Sequence, residues 1–184
     1  MGDLEATRCV WCGDDELYVE YHDNDWGVPV RDDAALFELL TLEGAQAGLS
    51  WLTVLRRREG YRRAFENFDA ASIASFSASR IEEIMADPGV IRHRQKINSV
   101  ITNARAILAL RSRPGYTDFS SYVWDLAASD VDGLTSAKNM NRQLVRDGFK
   151  FVGPTICLSF MQASGMRNDH ARDCFRFAEI EALQ

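Results

Sequence analysis

Ser136-Ala137-Lys138-Asn139-Met140-Asn141-Arg142-Gln143-Leu144-Val145-Arg146-Asp147-Gly148-Phe149-Lys150-Phe151-Val152-Gly153-Pro154 contains both ends of a join between two helices. Ser136–Asp147 reads as a helix, and Gly148 sits where a glycine after the last turn ends one. Pro154 fits the first position of the next helix, where a missing N–H costs nothing; that helix runs to about Gly165. A helix, a short hairpin ending in glycine and a second helix therefore occupy about residues 136–165. Backbone N–H groups of such a hairpin, together with the following helix N-terminus, make a phosphate-sized anion site. The plain alternative is an ordinary helical hairpin.

Working outward, the periodicity stays helical. Ile97, Val100, Ile101, Ala104 and Leu108 recur on one helix face. Arg92, Arg94, Lys96 and Arg105 of the same segment are expected in solvent. Asp33–Leu42 repeats apolar residues at Leu36, Phe37, Leu39 and Leu40. Ser79 followed by Glu82 fits a capping box, and Thr117 and Thr135 are candidate N-caps. Only Phe149–Val152 looks extended. The expectation is an all-α chain of seven to nine helices forming a single domain over 1–184.

The 184 residues carry 21 Lys+Arg and 27 Asp+Glu, a net charge of −6, with 46% hydrophobic residues. That balance excludes disordered, collagenous and low-complexity classes. The uncharged stretch Gly44–Leu55 is far short of the roughly 20 residues a membrane span needs. The acidic N-terminus lacks the layout of a signal peptide, so a cytoplasmic location is expected, without a membrane partner. No stripe suggests a dimer, and a monomer is expected. Charge is uneven: residues 1–43 hold twelve acids and two bases, whereas Val90–Arg113 holds six bases and no acid. A basic face on an acidic protein can hold phosphates, although a solvated helix face gives the same pattern.

Four cysteines are too few for a disulfide scaffold at this length. His170 and Cys174 are four apart and would share one side of a helix; Cys9 and His22 bracket twelve residues near the other end. Two Cys and two His suit a closed tetrahedral zinc site of the structural kind. Cys12 competes with Cys9, because Cys9-x-x-Cys12 is itself a ligand spacing.

Longer motifs are more specific. Arg8-Cys9 and Tyr21-His22-Asp23-Asn24-Asp25-Trp26-Gly27-Val28-Pro29 open a series that continues with Leu42-Glu43-Gly44-Ala45-Gln46-Ala47-Gly48-Leu49-Ser50-Trp51. Ile91-Arg92-His93-Arg94, Gly148-Phe149-Lys150-Phe151-Val152-Gly153, Ser159-Phe160-Met161-Gln162-Ala163 and Asn168-Asp169-His170 follow in order. This series resembles the 3-methyladenine DNA glycosylase I family over about Arg8–Cys174.

The resemblance implies a helix-hairpin-helix glycosylase fold and removal of 3-methyladenine from alkylated double-stranded DNA. It also implies structural Zn2+ on Cys9, His22, His170 and Cys174, clipping the two chain ends together and leaving Cys12 as a packed thiol. Its base pocket falls on Glu43, Trp51, Tyr21, Tyr18 and Trp26. A base methylated at N3 is cationic in the nucleoside, and aromatic faces and a carboxylate attract a cation. Glu43 is the expected catalytic residue; elsewhere it would read as a polar residue before Gly44, and the aromatics as core. Leu49 is the candidate wedge for the gap left by an extruded base. Lys150 and Gly153 are candidate DNA contacts.

Asn168 stands where many helix-hairpin-helix glycosylases carry an Asp, and neighbouring Asp169 is a poor candidate base. Bifunctional relatives place a Lys just after the hairpin glycine, where this chain has Pro154 and Thr155. A monofunctional enzyme is expected. Two other classes stay in view: a DNA-binding module that only senses damage, and a zinc hydrolase, which needs an open metal position that four protein ligands deny.

Overall fold

The computed structural model describes residues 7–128 and 132–184. After a 3-10 turn at Val10–Cys12, the helices are α1 (Glu16–Asn24), α2 (Asp33–Gln46), α3 (Trp51–Leu55), α4 (Arg58–Ala64), α5 (Ala70–Ala74) and α6 (Ala78–Ala86). A second 3-10 turn, Glu66–Phe68, separates α4 from α5. Then come α7 (Arg94–Leu110), α8 (Phe119–Ala127), α9 (Gly133–Arg146), α10 (Pro154–Ala163) and α11 (Phe175–Glu181). Among the described residues there is no strand, and no helix is long and apolar enough to cross a membrane. Eleven helices among the described residues exceed the expected seven to nine because α3, α4 and α5, at five to seven residues, are too short to repeat an apolar face over two turns.

The core forms around α2. Every residue from Leu36 to Ala45 is buried, so this helix is enclosed on all sides rather than amphipathic. It packs against α3, α7, α8 and α10. Two glutamates are buried with it. Glu38 is neutralised by Arg58 and by Arg62 (3.0 Å). Glu43 has no such partner.

Three caps differ from the sequence expectation. Ser77, not Ser79, caps α6 by accepting from the Arg80 amide at 3.2 Å, while Glu82 reaches across to Arg94. Asp118 caps α8 in place of Thr117, and Asp132 caps α9 in place of Thr135. At α8 and α9, where a carboxylate and a hydroxyl both lie near the helix start, the carboxylate accepts the amides.

The join between α9 and α10 follows the expected outline. Gly148 has φ +93°, which a glycine adopts without a Cβ clash, and Pro154 opens α10. Phe149–Val152 is not a strand. Phe151 has φ +53°, turning the chain so that its backbone meets α2. A Cβ at Gly44 would stand 3.1 Å from the Phe151 carbonyl oxygen, so the missing side chain admits this turn beside Glu43.

α7 corrects a second expectation. Arg92 and Arg94 are exposed, but Lys96 is buried with its ammonium directed at the end of α2. Half of the basic stretch is paired with acids: Arg94 with Glu82, Arg111 with Asp33, and Arg113 with Asp147.

Candidate active site

Short connections bring the aromatic residues to one end of α2. Asp15 caps α1 and sets Tyr18 and Tyr21 three residues apart on it. Beyond Gln46 the chain turns at Gly48, and Ser50 then caps α3 by accepting from the Thr53 amide. Trp51 therefore starts α3 with its ring 5.4 Å from that of Tyr21. Leu49, caught between turn and cap, is 41% exposed.

A cavity of about 270 Å³ is lined by Trp11, Tyr18, Tyr21, Trp26, Glu43, Gln46, Trp51, Ser159, Gln162 and Asp169. All five residues expected at the base pocket, Glu43, Trp51, Tyr21, Tyr18 and Trp26, line it together. A second cavity of about 460 Å³ continues from it along Ala47, Gly48, Leu49, Gly153, Pro154, Thr155 and Ile156. Glu43, Gln46 and Ser159 border both. Leu49 and Gly153 thus lie on the outer groove. The exposed Lys150 lies outside both linings.

Glu43 is 5% exposed, and among the described residues no donor reaches its carboxylate. Burial alone pushes its pKa up to about 8. An unpaired buried carboxyl opposes folding, and its place in a cleft makes Glu43 a candidate functional group. The Trp51 indole nitrogen is likewise buried without a partner. A compact cavity of aromatic rings with one unpaired carboxyl suits a small, flat, cationic ligand.

Several lining residues were not anticipated. Trp11 packs on Tyr18, Trp26 and His22 at 4.8–5.2 Å between centroids, completing an aromatic wall. Gln46 stands one helical turn after Glu43, and that spacing was the available signal. Ser159 and Gln162 share a face of α10. Asp169 also lines the cavity, with its carboxylate held by Gln162 at 2.6 Å and Arg167 at 2.8 Å. Asn168 is committed to the backbone: it donates to the Phe177 carbonyl and accepts from the His170 amide.

Cys9, His22, His170 and Cys174 are all buried, with their four ligand atoms within 4.8 Å of one another. Cys9 Sγ lies 3.5 Å from His170 Nδ1, and Cys174 Sγ lies 3.5 Å from His22 Nε2 and 3.6 Å from His170 Nδ1. Zinc–sulfur bonds of about 2.3 Å and zinc–nitrogen bonds of about 2.0–2.1 Å, at a tetrahedral angle, require a sulfur–nitrogen edge of about 3.5 Å. The outer ring nitrogens match as well. His170 Nε2 is 3.1 Å from the Trp26 carbonyl, which can only accept, so Nδ1 keeps its lone pair. His22 Nδ1 meets Asp23 at 2.7 Å, and Arg8 grips that carboxylate. Cys12 instead donates to the Cys9 carbonyl, outside the cluster. These residues could hold a metal ion.

A family profile described as methyladenine glycosylase matches residues 11–177. The chain belongs to this family. DNA-3-methyladenine glycosylase 1 of Escherichia coli K12 is 45% identical over 179 residues, covering 91% of this chain and 95% of that protein. A DNA-3-methyladenine glycosylase of Haemophilus influenzae is 42% identical, covering 92% and 97%. Among solved structures, a 3-methyladenine DNA glycosylase I superposes with a TM-score of 0.85 at 44% identity, covering 92% of this chain and 98% of the other. A Staphylococcus aureus methyladenine glycosylase, described for its recognition of 3-methyladenine, also gives 0.85, at 33% identity, covering 92% and 96%.

Proposed function

We propose that this chain is a monofunctional DNA glycosylase that extrudes 3-methyladenine from alkylated duplex DNA and hydrolyses its N-glycosyl bond, leaving an abasic site. The observation that carries this is the buried, unpaired Glu43 at the junction of an aromatic cavity and an open groove. A flipped nucleotide would place its base among Trp51, Tyr21, Tyr18, Trp26 and Trp11. Its sugar would lie toward the groove of Leu49 and Gly153. Glu43 then faces the region between base and sugar.

The chemistry needs little acid assistance. The bond from the sugar to the base breaks with its electron pair passing to the base, which leaves neutral. Positive charge moves to the sugar as an oxocarbenium ion. Water adds to that carbon and releases one proton. Glu43 favours a cationic base over neutral adenine and keeps negative charge beside the centre where the sugar charge develops.

The Gly148–Gly153 turn and the start of α10 supply the backbone grip, making this join a helix-hairpin-helix. Among the described residues, no protein acceptor takes the amides of Phe151, Val152 and Gly153. They and the first amides of α10 suit a phosphate. Lys150 adds a charge nearby. Zn2+, held by Cys9, His22, His170 and Cys174, supplies no reaction chemistry when bound. It ties the two chain ends behind the aromatic wall. Large exposed apolar side chains are scattered over Val10, Leu134, Val145 and Leu183, which favours a monomer, and a cytoplasmic enzyme fits its DNA substrate.

The test is release of free base from methylated duplex DNA, wild type beside Glu43→Gln, with products separated by chromatography. Release of 3-methyladenine but not 7-methylguanine, largely abolished in the variant, is expected. No release by folded, zinc-loaded wild type would leave only the damage-sensing module.

A further inference from the structure

Two loops meet at the groove: Ala47, Gly48 and Leu49 line it on one side, and the 148–153 loop reaches it through Gly153, where α10 begins. Each is pinned by one buried side chain of α7. Lys96 Nζ donates to the Ala45 carbonyl at 2.8 Å and to the Ala47 carbonyl at 2.7 Å. Asn103 Nδ2 donates to the Lys150 carbonyl at 3.0 Å, and its Oδ1 accepts from the Lys150 amide at 2.8 Å. Lys96 and Asn103 are seven residues apart, so they share one face of α7 about 10.5 Å apart along its axis. His93, which caps α7, also sets its ring against Phe151.

Lys96 takes the two carbonyls at the end of α2 that the turn at Gly48 leaves over, since the Leu49 amide there donates to the Gln46 carbonyl at 2.6 Å. Lys96 is 9% exposed, and no carboxylate among the described residues pairs with it. A buried ammonium held only by carbonyls is a costly cap. Asn103, 3% exposed, gives both ends of its amide to the Lys150 backbone. What these bonds add is a rigid link between two irregular loops.

We propose that Lys96 and Asn103 are positioning residues that hold the Leu49 loop and the hairpin loop at one fixed spacing, so that wedge and backbone grip strain the duplex together. The proposal rests on the glycosylase function above. Extrusion needs a wedge pressing into the stack while the backbone is held. If the spacing relaxes, the strain goes into the loops instead of the DNA. Glu43, inside α2 and backed by the Gly44–Phe151 contact, should keep its place.

The test compares Lys96→Met and Asn103→Ala with wild type. Three quantities are read: melting temperature, quenching of tryptophan fluorescence by free 3-methyladenine, and affinity for a duplex carrying a tetrahydrofuran abasic-site analogue. Free-base affinity is expected to stay within about twofold, while duplex affinity falls about tenfold or more. Single-turnover base release slows to match. Lys96→Arg, which keeps donors, and Asn103→Asp, which keeps the acceptor for the Lys150 amide, recover part of the duplex affinity. Unchanged duplex affinity in Lys96→Met and Asn103→Ala, or parallel loss of base and duplex affinity, overturns the proposal. The split is read without catalysis, so it stands or falls separately from base release by wild type.

Discussion

The Trp26 indole and the His170 imidazole pack edge to face with their centroids 4.5 Å apart, so the Cys/His cluster backs one wall of the cavity. The contact is doubled, because His170 Nε2 also meets the Trp26 carbonyl and Trp11 lies on His22. The Cys/His cluster and the cavity wall are therefore one packed unit.

Metal removal should affect both. Purified protein is expected to carry one zinc, measured by elemental analysis. Losing it through Cys174→Ser should cost about 3 kcal/mol, a fall in melting temperature of roughly 6–12 °C at this size. Fluorescence quenching by free 3-methyladenine should weaken in the same variant. A metal-free protein with an unchanged melting temperature and unchanged quenching would contradict this arrangement.

Glu43→Gln should separate activity from stability. Removing the charge opposite a cationic base is expected to lower single-turnover release about 100-fold or more. The sign for stability is opposite. Burial raises the folded-state pKa to about 8 from an ordinary 4.5, so the folded protein binds the extra proton between those values. The stability contribution of the protonated carboxyl is complete below 4.5 and lost as pH rises through about 8. Wild type and variant should melt together near pH 4.5, and the variant should melt higher at pH 9. Wild-type kcat/KM should rise toward pH 8 and then level as the carboxyl ionises. A variant less stable than wild type at pH 9 would mean that Glu43 has a partner stabilising its charge.

Gly148 and Pro154 obey local backbone rules, so the join between α9 and α10 was legible from residue type alone. The cavity was legible only through a resemblance spanning the chain, because its walls come from α1, α2, α3, α10 and both terminal segments. Trp11 and Asp169 reach it through the folding of those ends, and no short-range pattern marks them. Lys96 misled for a different reason: amphipathic periodicity assigns a lysine to solvent, whereas the carbonyls of Ala45 and Ala47 at the end of α2 recruit it. The caps misled where Ser77 and Ser79, Thr117 and Asp118, or Asp132 and Thr135 compete within a few residues. There the choice depends on which amides the approaching helix leaves free.

Leu49→Ala should leave the fold nearly untouched, within about 0.5 kcal/mol, because the side chain is 41% exposed. Its cost should appear on DNA. Affinity for a duplex with an abasic-site analogue is expected to fall about tenfold, with free 3-methyladenine binding unchanged. Equal loss of both would indicate damage to the cavity, not loss of a wedge.

Salt should weaken DNA binding only gently. Arg94, Arg111 and Arg113 are paired with acids, and the hairpin contributes neutral amides, so the phosphates are expected to be neutralised by a few cations such as Arg92 and Lys150. Each phosphate neutralised by a cation contributes about −0.9 to the slope of log affinity against log salt, so a slope of about −1 to −3 is expected. A slope near −6 would mean that many more basic side chains than these reach phosphates, against a grip made mainly by neutral amides.

Amine placement predicts no strand cleavage. A Schiff base at the abasic carbon needs an unprotonated lysine within reach of the sugar. The chain has three lysines, Lys96, Lys138 and Lys150, and none lines either cavity. Lys96 is turned away into the carbonyls of Ala45 and Ala47. Pro154 and Thr155, at the groove beside Gly153, offer no amine. Incubation with abasic-site DNA and borohydride should therefore trap no protein adduct, and the abasic strand should remain intact until treated with alkali. A trapped adduct lost in Lys150→Ala would show that the hairpin swings its lysine into the groove when DNA binds.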